Sequence, residues 1–260
     1  ENIIGLHYFS PAEKMPLAEV IPQPATSERT LALTLAFARQ QGKIPLVVAD
    51  RPGFYVNRIL TPYLNEAMHC LLEGEPVEVI DQALVDFGFP LGPFQLLDQV
   101  GIDVAAKISP VLYQAYGERF QTPERISAMI NDGRKGRKNG KGFYLYPAKK
   151  TWFPRKKQAD PAVYALLHVK PHAQQAPADI ARRCVLMMLN EAMRCLDEQV
   201  IRNEEDGDAG AVFGIGFPPY LGGPFNYIRQ QGEAEILRQL EQAASRYGER
   251  FTPCRPVSEP

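Results

Sequence analysis

Residues 3–21 read IIGLHYFSPAEKMPLAEVI, and this stretch decides the fold of the first part of the chain. It contains two short apolar runs, Ile3–Phe9 and Leu17–Ile21, separated by a segment that Pro11 and Pro16 interrupt. Short apolar runs bounded by prolines are typical of buried strands. We therefore predict two strands that are neighbours in one sheet.

The next segment continues this pattern. Thr26 and Ser27 are typical capping residues before a predicted helix that ends near Gly42, and Pro45–Ala49 is a third predicted strand. The order strand, strand, helix, strand is consistent with the end of an α/β sheet. Residues 1–50 are therefore predicted to be a short α/β remnant of a larger domain.

The rest of the chain is predicted to be helical. Helices are expected at about 55–73, 76–87, 93–116 and 123–131, because apolar residues recur there at helical spacing. A basic, glycine-rich loop follows at 133–142. Residues 148–178 are interpreted as a connector, because the segment contains prolines and lysines and little apolar periodicity.

Four short motifs occur twice, in the same order. They are Leu64–Met68 and Leu189–Met193, Gly88–Pro90 and Gly216–Pro218, Gly92–Phe94 and Gly223–Phe225, and Tyr116–Phe120 and Tyr247–Phe251. The offset between copies grows only from 125 residues at the first motif to 131 at the last. We predict two copies of one helical domain, 51–147 and 179–260, which bury their apolar faces against each other.

The composition is that of a soluble globular protein. The chain has 260 residues, 45% hydrophobic and 23% charged, with a net charge of −1, which offers no general attraction for nucleic acid. Its four cysteines include no C-x-x-C pair, so we expect reduced thiols of a cytoplasmic protein. No apolar run reaches membrane-spanning length. The first residue is Glu1, in front of an apolar segment, and we expect the chain to be part of a larger protein.

His7 and Glu19 are the strongest candidates for chemistry. A carboxylate inside the second apolar run needs a partner, and an imidazole on the neighbouring strand would suit it. A glutamate bonded to one ring nitrogen fixes the tautomer of the histidine, which can then act as a general base. From the residues alone, His7 could instead be a core histidine, and Glu19 could face solvent on an edge strand.

Other polar candidates are weaker. Asn57, at the start of the long predicted helix, could donate to a substrate oxygen or only bond local backbone. No metal site is expected, because Pro171 interrupts any helix between His168 and His172. Cys184 and Cys195 lie on apolar helix faces and are interpreted as core residues.

Together these segments resemble the 3-hydroxyacyl-CoA dehydrogenase family. The resemblance lies in Gly5–Pro11 with Met15–Ile21, in Asp50–Arg58, and in Gly136–Tyr144. The doubled helical domain is similar to the multifunctional enzymes of fatty-acid β-oxidation, in which an enoyl-CoA hydratase/isomerase region precedes the dehydrogenase. Details around Tyr8, Ser10 and Glu19 are most similar to the α subunit of the bacterial anaerobic type.

The resemblance implies a role for each candidate residue. His7 would be the general base that takes the proton of the 3-hydroxyl, and Glu19 would orient it. Asn57 and Phe213 would bind substrate. Ser10 and Lys138 would contact the cofactor, NAD. Many relatives have asparagine where this chain has Ser10, and a hydroxyl lacks the second donor of an amide.

By the same resemblance, residues 1–50 are the C-terminal end of the NAD-binding domain. No G-x-G-x-x-G motif follows a strand here, so most of the NAD site would lie upstream, and we expect the chain alone to be inactive. Asn57 falls on Arg182 in the second copy, which we expect to be structural, closing the site or contacting other domains. A thiolase β subunit in a heterotetrameric complex is the expected partner.

Two other interpretations stay open. The chain could be a non-catalytic helical module for dimerisation or docking. It could also belong to another dehydrogenase with a helical C-terminal domain, such as a 6-phosphogluconate type, although a His7 and Glu19 pair argues against that.

Overall fold

A computed structural model describes residues 1–146 and 158–256 of the chain. The strands are β1 (Ile4–Tyr8), β2 (Leu17–Pro22) and β3 (Ile44–Val47). The α-helices are α1 (Glu28–Gln40), α2 (Val56–Leu72), α3 (Val77–Phe87), α4 (Pro93–Val100), α5 (Ile102–Tyr116), α6 (Ser127–Asn131), α7 (Pro161–Leu166), α8 (Pro177–Asp197), α9 (Glu204–Ile215), α10 (Pro224–Gln231) and α11 (Glu233–Tyr247). The predicted fold class, mainly helical with a short α/β segment, is confirmed. Residues 147–157, which include the first part of the predicted connector, lie outside the described residues.

The three strands form one sheet in the order β1-β2-β3. β1 pairs antiparallel with β2, and β2 pairs parallel with β3. The central strand is buried along almost its whole length, whereas β1 is only half-buried, although its sequence predicted a buried strand. The reason is its place at the edge of the described sheet, where it has a strand neighbour on one side only.

The chain forms two compact units. The first contains Glu1–Thr61 together with the chain from Leu186 onward, and the second contains Pro62–Val185. These units are defined by contacts in space and not by sequence repeats. The predicted division of the sequence into domains 1–50, 51–147, 148–178 and 179–260 therefore remains a prediction.

In the first unit, α9 packs on β2 and β3 through glycines. A Cβ atom at Gly210 would lie 2.8 Å from the side chain of Leu46, and one at Gly214 would lie 2.9 Å from that of Leu17. Such distances are too short for carbon atoms in contact. The glycines therefore allow α9 to approach the sheet closely.

In the second unit, the helix predicted at 93–116 is wrong as a single element, because it is divided into α4 and α5. The division falls at Gly101, which has a φ of +111°. This backbone conformation is accessible to glycine and strained for other residues. A Cβ atom here would also lie 2.4 Å from the side chain of Lys138, so the neighbouring loop uses the space that a side chain would need.

A buried aspartate caps the N-terminus of α4. Asp81 on α3 accepts hydrogen bonds from the backbone N–H groups of Phe94 at 2.8 Å and Gln95 at 3.1 Å, and from the hydroxyl of Tyr144 at 2.8 Å. Gly92 is required beside it, because a Cβ atom there would lie 2.3 Å from the Asp81 side chain. The carboxylate thus satisfies N–H groups that have no partner inside the helix.

The second sequence copy repeats this arrangement in the first unit. Asp208 on α9 accepts from the N–H groups of Phe225 at 2.7 Å and Asn226 at 3.1 Å, at the start of α10. A Cβ atom at Gly223 would lie 2.4 Å from Asp208. The repeated Gly-Pro-Phe motif therefore marks a helix start that a buried aspartate caps, and the helix–aspartate pair is the conserved element of the two copies.

The buried aspartate predicts how stability depends on pH. Burial raises the pKa of Asp81 to about 7, against the lowering effect of its hydrogen bonds to Phe94, Tyr144 and Gln95. The folded protein then holds a proton that the unfolded chain has lost above its ordinary carboxyl pKa. The contribution of this group to stability is complete at low pH and is lost as pH rises towards about 7, at about 1.4 kcal/mol for each unit of pKa shift.

We therefore expect Asp81→Asn, which cannot ionise, to gain stability relative to the unmodified chain between about pH 4 and about pH 7. Urea denaturation followed by circular dichroism measures the difference. Asp208→Asn should show the same sign, because burial also raises the pKa of Asp208. A difference in unfolding free energy that stays constant across this pH range would contradict the assignment.

Candidate active site

His7 and Glu19 lie opposite each other on β1 and β2, where they form a directly paired position of the antiparallel ladder. The Nδ1 atom of His7 is 2.8 Å from Oε2 of Glu19. Glu19 is completely buried, and the side chain of His7 is 31% exposed. The pair therefore joins a carboxylate inside the protein to an imidazole that solvent or a ligand can reach.

The second oxygen of Glu19 holds the start of α2. Oε1 accepts hydrogen bonds from the backbone N–H groups of Tyr55 at 3.1 Å and Val56 at 3.0 Å. A carboxylate at a helix N-terminus is favoured both by these N–H groups and by the helix dipole. Because each of its oxygens has a partner, the buried charge of Glu19 is compensated.

The turn before α2 adds an aromatic wall beside the imidazole. Gly53 and Phe54 have φ values of +78° and +47°, and such a conformation is strained for phenylalanine. It places the Phe54 ring centroid 5.5 Å from that of His7, while Phe9 contacts the same imidazole edge-on at 4.7 Å. The two rings shield His7, and Nε2 is the ring nitrogen without a hydrogen bond among the described residues.

The other predicted site residues lie at different places. Asn57 is half-buried in the first turn of α2, next to Val56, and its carbonyl accepts from Thr61 Oγ1 at 2.8 Å. Ser10 is exposed just after β1. Phe213 on α9 is 39% exposed, with no described contact to the His7 and Glu19 pair. Asn57 thus adjoins Val56, whose N–H group donates to Glu19. No described contact connects Phe213 to the pair in this way.

Lys138 belongs to the second unit, in the basic loop. Its Nζ atom is 2.6 Å from Oδ1 of Asp103, and this hydrogen bond is the main cause that lowers the pKa of the aspartate. The lysine charge is therefore already partly neutralised by a local partner. Any phosphate that binds here has to compete with a carboxylate.

Sequence reasoning did not find that Glu19 caps α2, nor that Phe54 contacts His7. One signal was available for the first. The residues before α2, Pro52 to Tyr55, include no serine, threonine, aspartate or asparagine, so the helix needed an acceptor from elsewhere in the chain. No comparable signal existed for Phe54, because its position depends on an unusual backbone conformation.

Comparison with known proteins gives the family. Residues 53–146 match the 3-hydroxyacyl-CoA dehydrogenase C-terminal domain, and residues 1–51 match the NAD binding domain of 3-hydroxyacyl-CoA dehydrogenase. The chain belongs to the 3-hydroxyacyl-CoA dehydrogenase family. It is 58% identical over 254 residues to the fatty acid oxidation complex subunit alpha of Vibrio campbellii, and the same protein of Vibrio vulnificus is equally similar. The aligned part is 98% of this chain and 35% of each relative.

Solved structures of 3-hydroxyacyl-CoA dehydrogenases are also similar to this chain. The 3-hydroxybutyryl-CoA dehydrogenase of Escherichia coli K12 is 28% identical with a TM-score of 0.77, covering 96% of this chain and 68% of that one. The dehydrogenase part of multifunctional enzyme 1 from C. elegans is 27% identical with a TM-score of 0.66, covering 96% and 57%. The recognised family and the NAD-binding segment are therefore confirmed.

Across residues 1–146 and 158–256, no group of three or more His, Cys, Asp or Glu side chains could hold a metal ion. In the same residues, no helix is long and apolar enough to cross a membrane.

The Glu19 contact predicts the tautomer of His7. An ionised carboxylate can only accept, so the neutral imidazole carries its hydrogen on Nδ1. In Glu19→Gln, the amide oxygen can still accept from the backbone N–H groups of Tyr55 and Val56. The NH2 group of the glutamine then points towards His7. We then expect Nδ1 to accept and the hydrogen to move to Nε2.

Nitrogen-15 NMR of the His7 ring, recorded on this chain above the titration of the imidazole, distinguishes the two tautomers. Ser10→Ala is the control, because it changes a neighbouring side chain and leaves Glu19 in place. Identical ring-nitrogen shifts in Glu19→Gln and in the unmodified chain would show that the carboxylate does not set the tautomer.

Proposed function

We propose that this chain is the substrate-side part of an NAD-dependent 3-hydroxyacyl-CoA dehydrogenase within a multifunctional enzyme of fatty-acid β-oxidation. The whole enzyme would oxidise 3-hydroxyacyl-CoA to 3-oxoacyl-CoA. The observation that carries the proposal is the His7–Glu19 pair at 2.8 Å, with the carboxylate buried and the imidazole accessible. An imidazole held in this way is suited to take a proton from a hydroxyl at neutral pH.

In the proposed reaction, His7 accepts the proton of the substrate 3-hydroxyl on Nε2. As the C3–O bond becomes a carbonyl, the hydrogen on carbon 3 leaves with its electron pair. NAD, when bound, supplies the acceptor for that hydride. Glu19 accepts the Nδ1–H of His7 and stabilises the imidazolium that forms. Because Glu19 is buried, this stabilisation is stronger than it would be in water.

The remaining residues have proposed binding roles. Asn57 would donate to a substrate oxygen, supported by its half-buried position one residue after a donor to Glu19. Ser10 would contact the nicotinamide end of NAD from the end of β1. Phe213 would line the acyl side as an exposed aromatic residue on α9. Lys138 would contact the cofactor, in competition with Asp103.

These residues fit NAD only in part. The sequence has the end of the NAD-binding domain and no glycine-rich phosphate loop after a strand, so the pyrophosphate would be held by residues outside this chain. The chain spans about a third of the length of the curated relatives it matches. We infer that catalysis requires the longer protein and that the present residues contribute its proton acceptor.

The names of the relatives suggest the wider setting. The Vibrio proteins are alpha subunits of a fatty acid oxidation complex, which supports a complex with a β subunit for the whole protein. We propose that this partner is a thiolase in a heterotetramer, that an enoyl-CoA hydratase/isomerase region lies upstream, and that the protein is cytoplasmic. The alternative, a purely structural helical module, would need Glu19 as the cap of α2 but would not need an accessible histidine bonded to it.

An oxidation assay tests the proposal. The extended protein is defined here as this chain joined to the upstream sequence of its relatives. We expect NAD-dependent oxidation of 3-hydroxyacyl-CoA by the extended protein, negligible turnover by this chain alone, and a loss of at least about a hundredfold in kcat for His7→Ala.

His69→Ala, which replaces another histidine of the chain, is the matched control and should keep most of the activity. NAD binding measured by fluorescence should be unchanged in His7→Ala. An extended protein that binds NAD and keeps its rate without His7 would remove the general-base role and favour the structural module.

A further inference from the structure

The first turn of α2 is fixed by a buried arginine as well as by Glu19. In the first unit, Arg58 Nε is 2.7 Å from Oε1 of Glu191, and Arg58 Nη1 is 2.8 Å from Oε2 of Glu198. Arg58 is completely buried. Burial alone would lower the pKa of Arg58, but Glu198 and Glu191 together raise it above its usual value, so the guanidinium stays charged.

The second unit contains an equivalent cluster, in which the arginine comes from the second sequence copy and the glutamates come from the first. Arg183 Nη2 is 2.5 Å from Oε1 of Glu66, and Arg183 Nη1 is 2.7 Å from Oε2 of Glu73. The repeat offset of 125 residues relates Arg58 to Arg183. The same offset relates Glu66 to Glu191 and Glu73 to Glu198. Each copy therefore supplies an arginine to two glutamates of the other.

Only one of these clusters adjoins residues with proposed chemistry. Arg58 follows Asn57 directly and lies two residues after Val56, whose N–H group donates to Glu19. A second contact fixes the same turn, because the buried hydroxyl of Tyr55 donates to the carbonyl of Gly207 at 3.1 Å. Burial is the main cause that raises the pKa of Tyr55 well above its usual value, so this hydroxyl remains a donor.

We propose that Glu191 and Glu198 are positioning residues for the dehydrogenase reaction. Through Arg58 they fix the first turn of α2, and that turn provides the backbone donors of Glu19 and carries Asn57. This inference rests on the proposed function. It assigns the second sequence copy a role in the active site. No His–Glu pair precedes this copy, and it holds in place the pair that precedes the first copy.

The cluster around Arg183 makes the proposal testable, because it repeats the pairing of one arginine with two glutamates away from the His7–Glu19 pair. One difference is that Oε2 of Glu191 also lies 3.8 Å from Nε of Arg194. The side chains of Glu191 and Glu66 are 3% and 0% exposed, and those of Glu198 and Glu73 are 44% and 43% exposed. Replacing either member of a matched pair by glutamine removes the same charge at the same burial. If the clusters only stabilise helix packing, the two members should have equal effects.

The experiment measures kcat and KM for 3-hydroxyacyl-CoA in the extended protein, with rates expressed per folded molecule from circular dichroism. For Glu191→Gln we expect kcat to fall by at least about tenfold and KM to rise, because small displacements of reacting groups reduce rates strongly. Glu66→Gln should lower the melting temperature by a similar amount and leave kcat per folded molecule and KM unchanged.

The exposed pair covers the case in which the buried variants do not fold. Glu198→Gln should change kcat and KM in the same direction as Glu191→Gln but less, and Glu73→Gln should change neither. Equal kinetic effects within each matched pair would overturn the proposal. His7→Ala in the same assays separates the two claims, since a retained rate there removes the proposed function itself rather than the role of the glutamates.

Discussion

The hydrogen bonds of the Glu19 carboxylate hold together the elements of the first unit that surround it. It accepts from an imidazole on β1 with one oxygen and from two backbone N–H groups at the start of α2 with the other. A buried charge without partners would be strongly unfavourable, so all three donors have to be in place when the residue is buried. One side chain thereby couples the edge strand, the central strand and the long helix, and the proposed proton transfer depends on the same contacts as folding.

Duplication explains how such a demanding site is supported. Both copies keep an aspartate that caps the Gly-Pro-Phe helix, at Asp81 and Asp208, and both keep the arginine and glutamates that pair between copies. These residues carry the packing of the helices, whatever chemistry lies beside them. The His7–Glu19 pair, by contrast, occurs once, because it belongs to strands that precede only the first copy.

The local elements and the pairing of His7 with Glu19 could be predicted because their signals are short-range: apolar runs, prolines and a carboxylate that needs a partner. What could not be predicted depends on the tertiary structure. The break at Gly101 coincides with its φ of +111°, and the half-buried state of β1 follows from its single strand neighbour. The cap of α2 joins residues 36 and 37 positions apart in sequence, a separation that no local pattern reports.

The repeat was visible in sequence, yet its consequence for the site was not. A motif comparison aligns Arg58 with Arg183 and treats each copy as separate, whereas the structure pairs each arginine with the glutamates of the other copy. No His–Glu pair precedes the second copy, so sequence reasoning assigned it a structural role, closing the site or contacting other domains, without naming residues for that role. Its glutamates pair with Arg58, the residue after Asn57. In the proposed mechanism, the second copy therefore sets the geometry in which His7 and Glu19 operate, although no His–Glu pair precedes it.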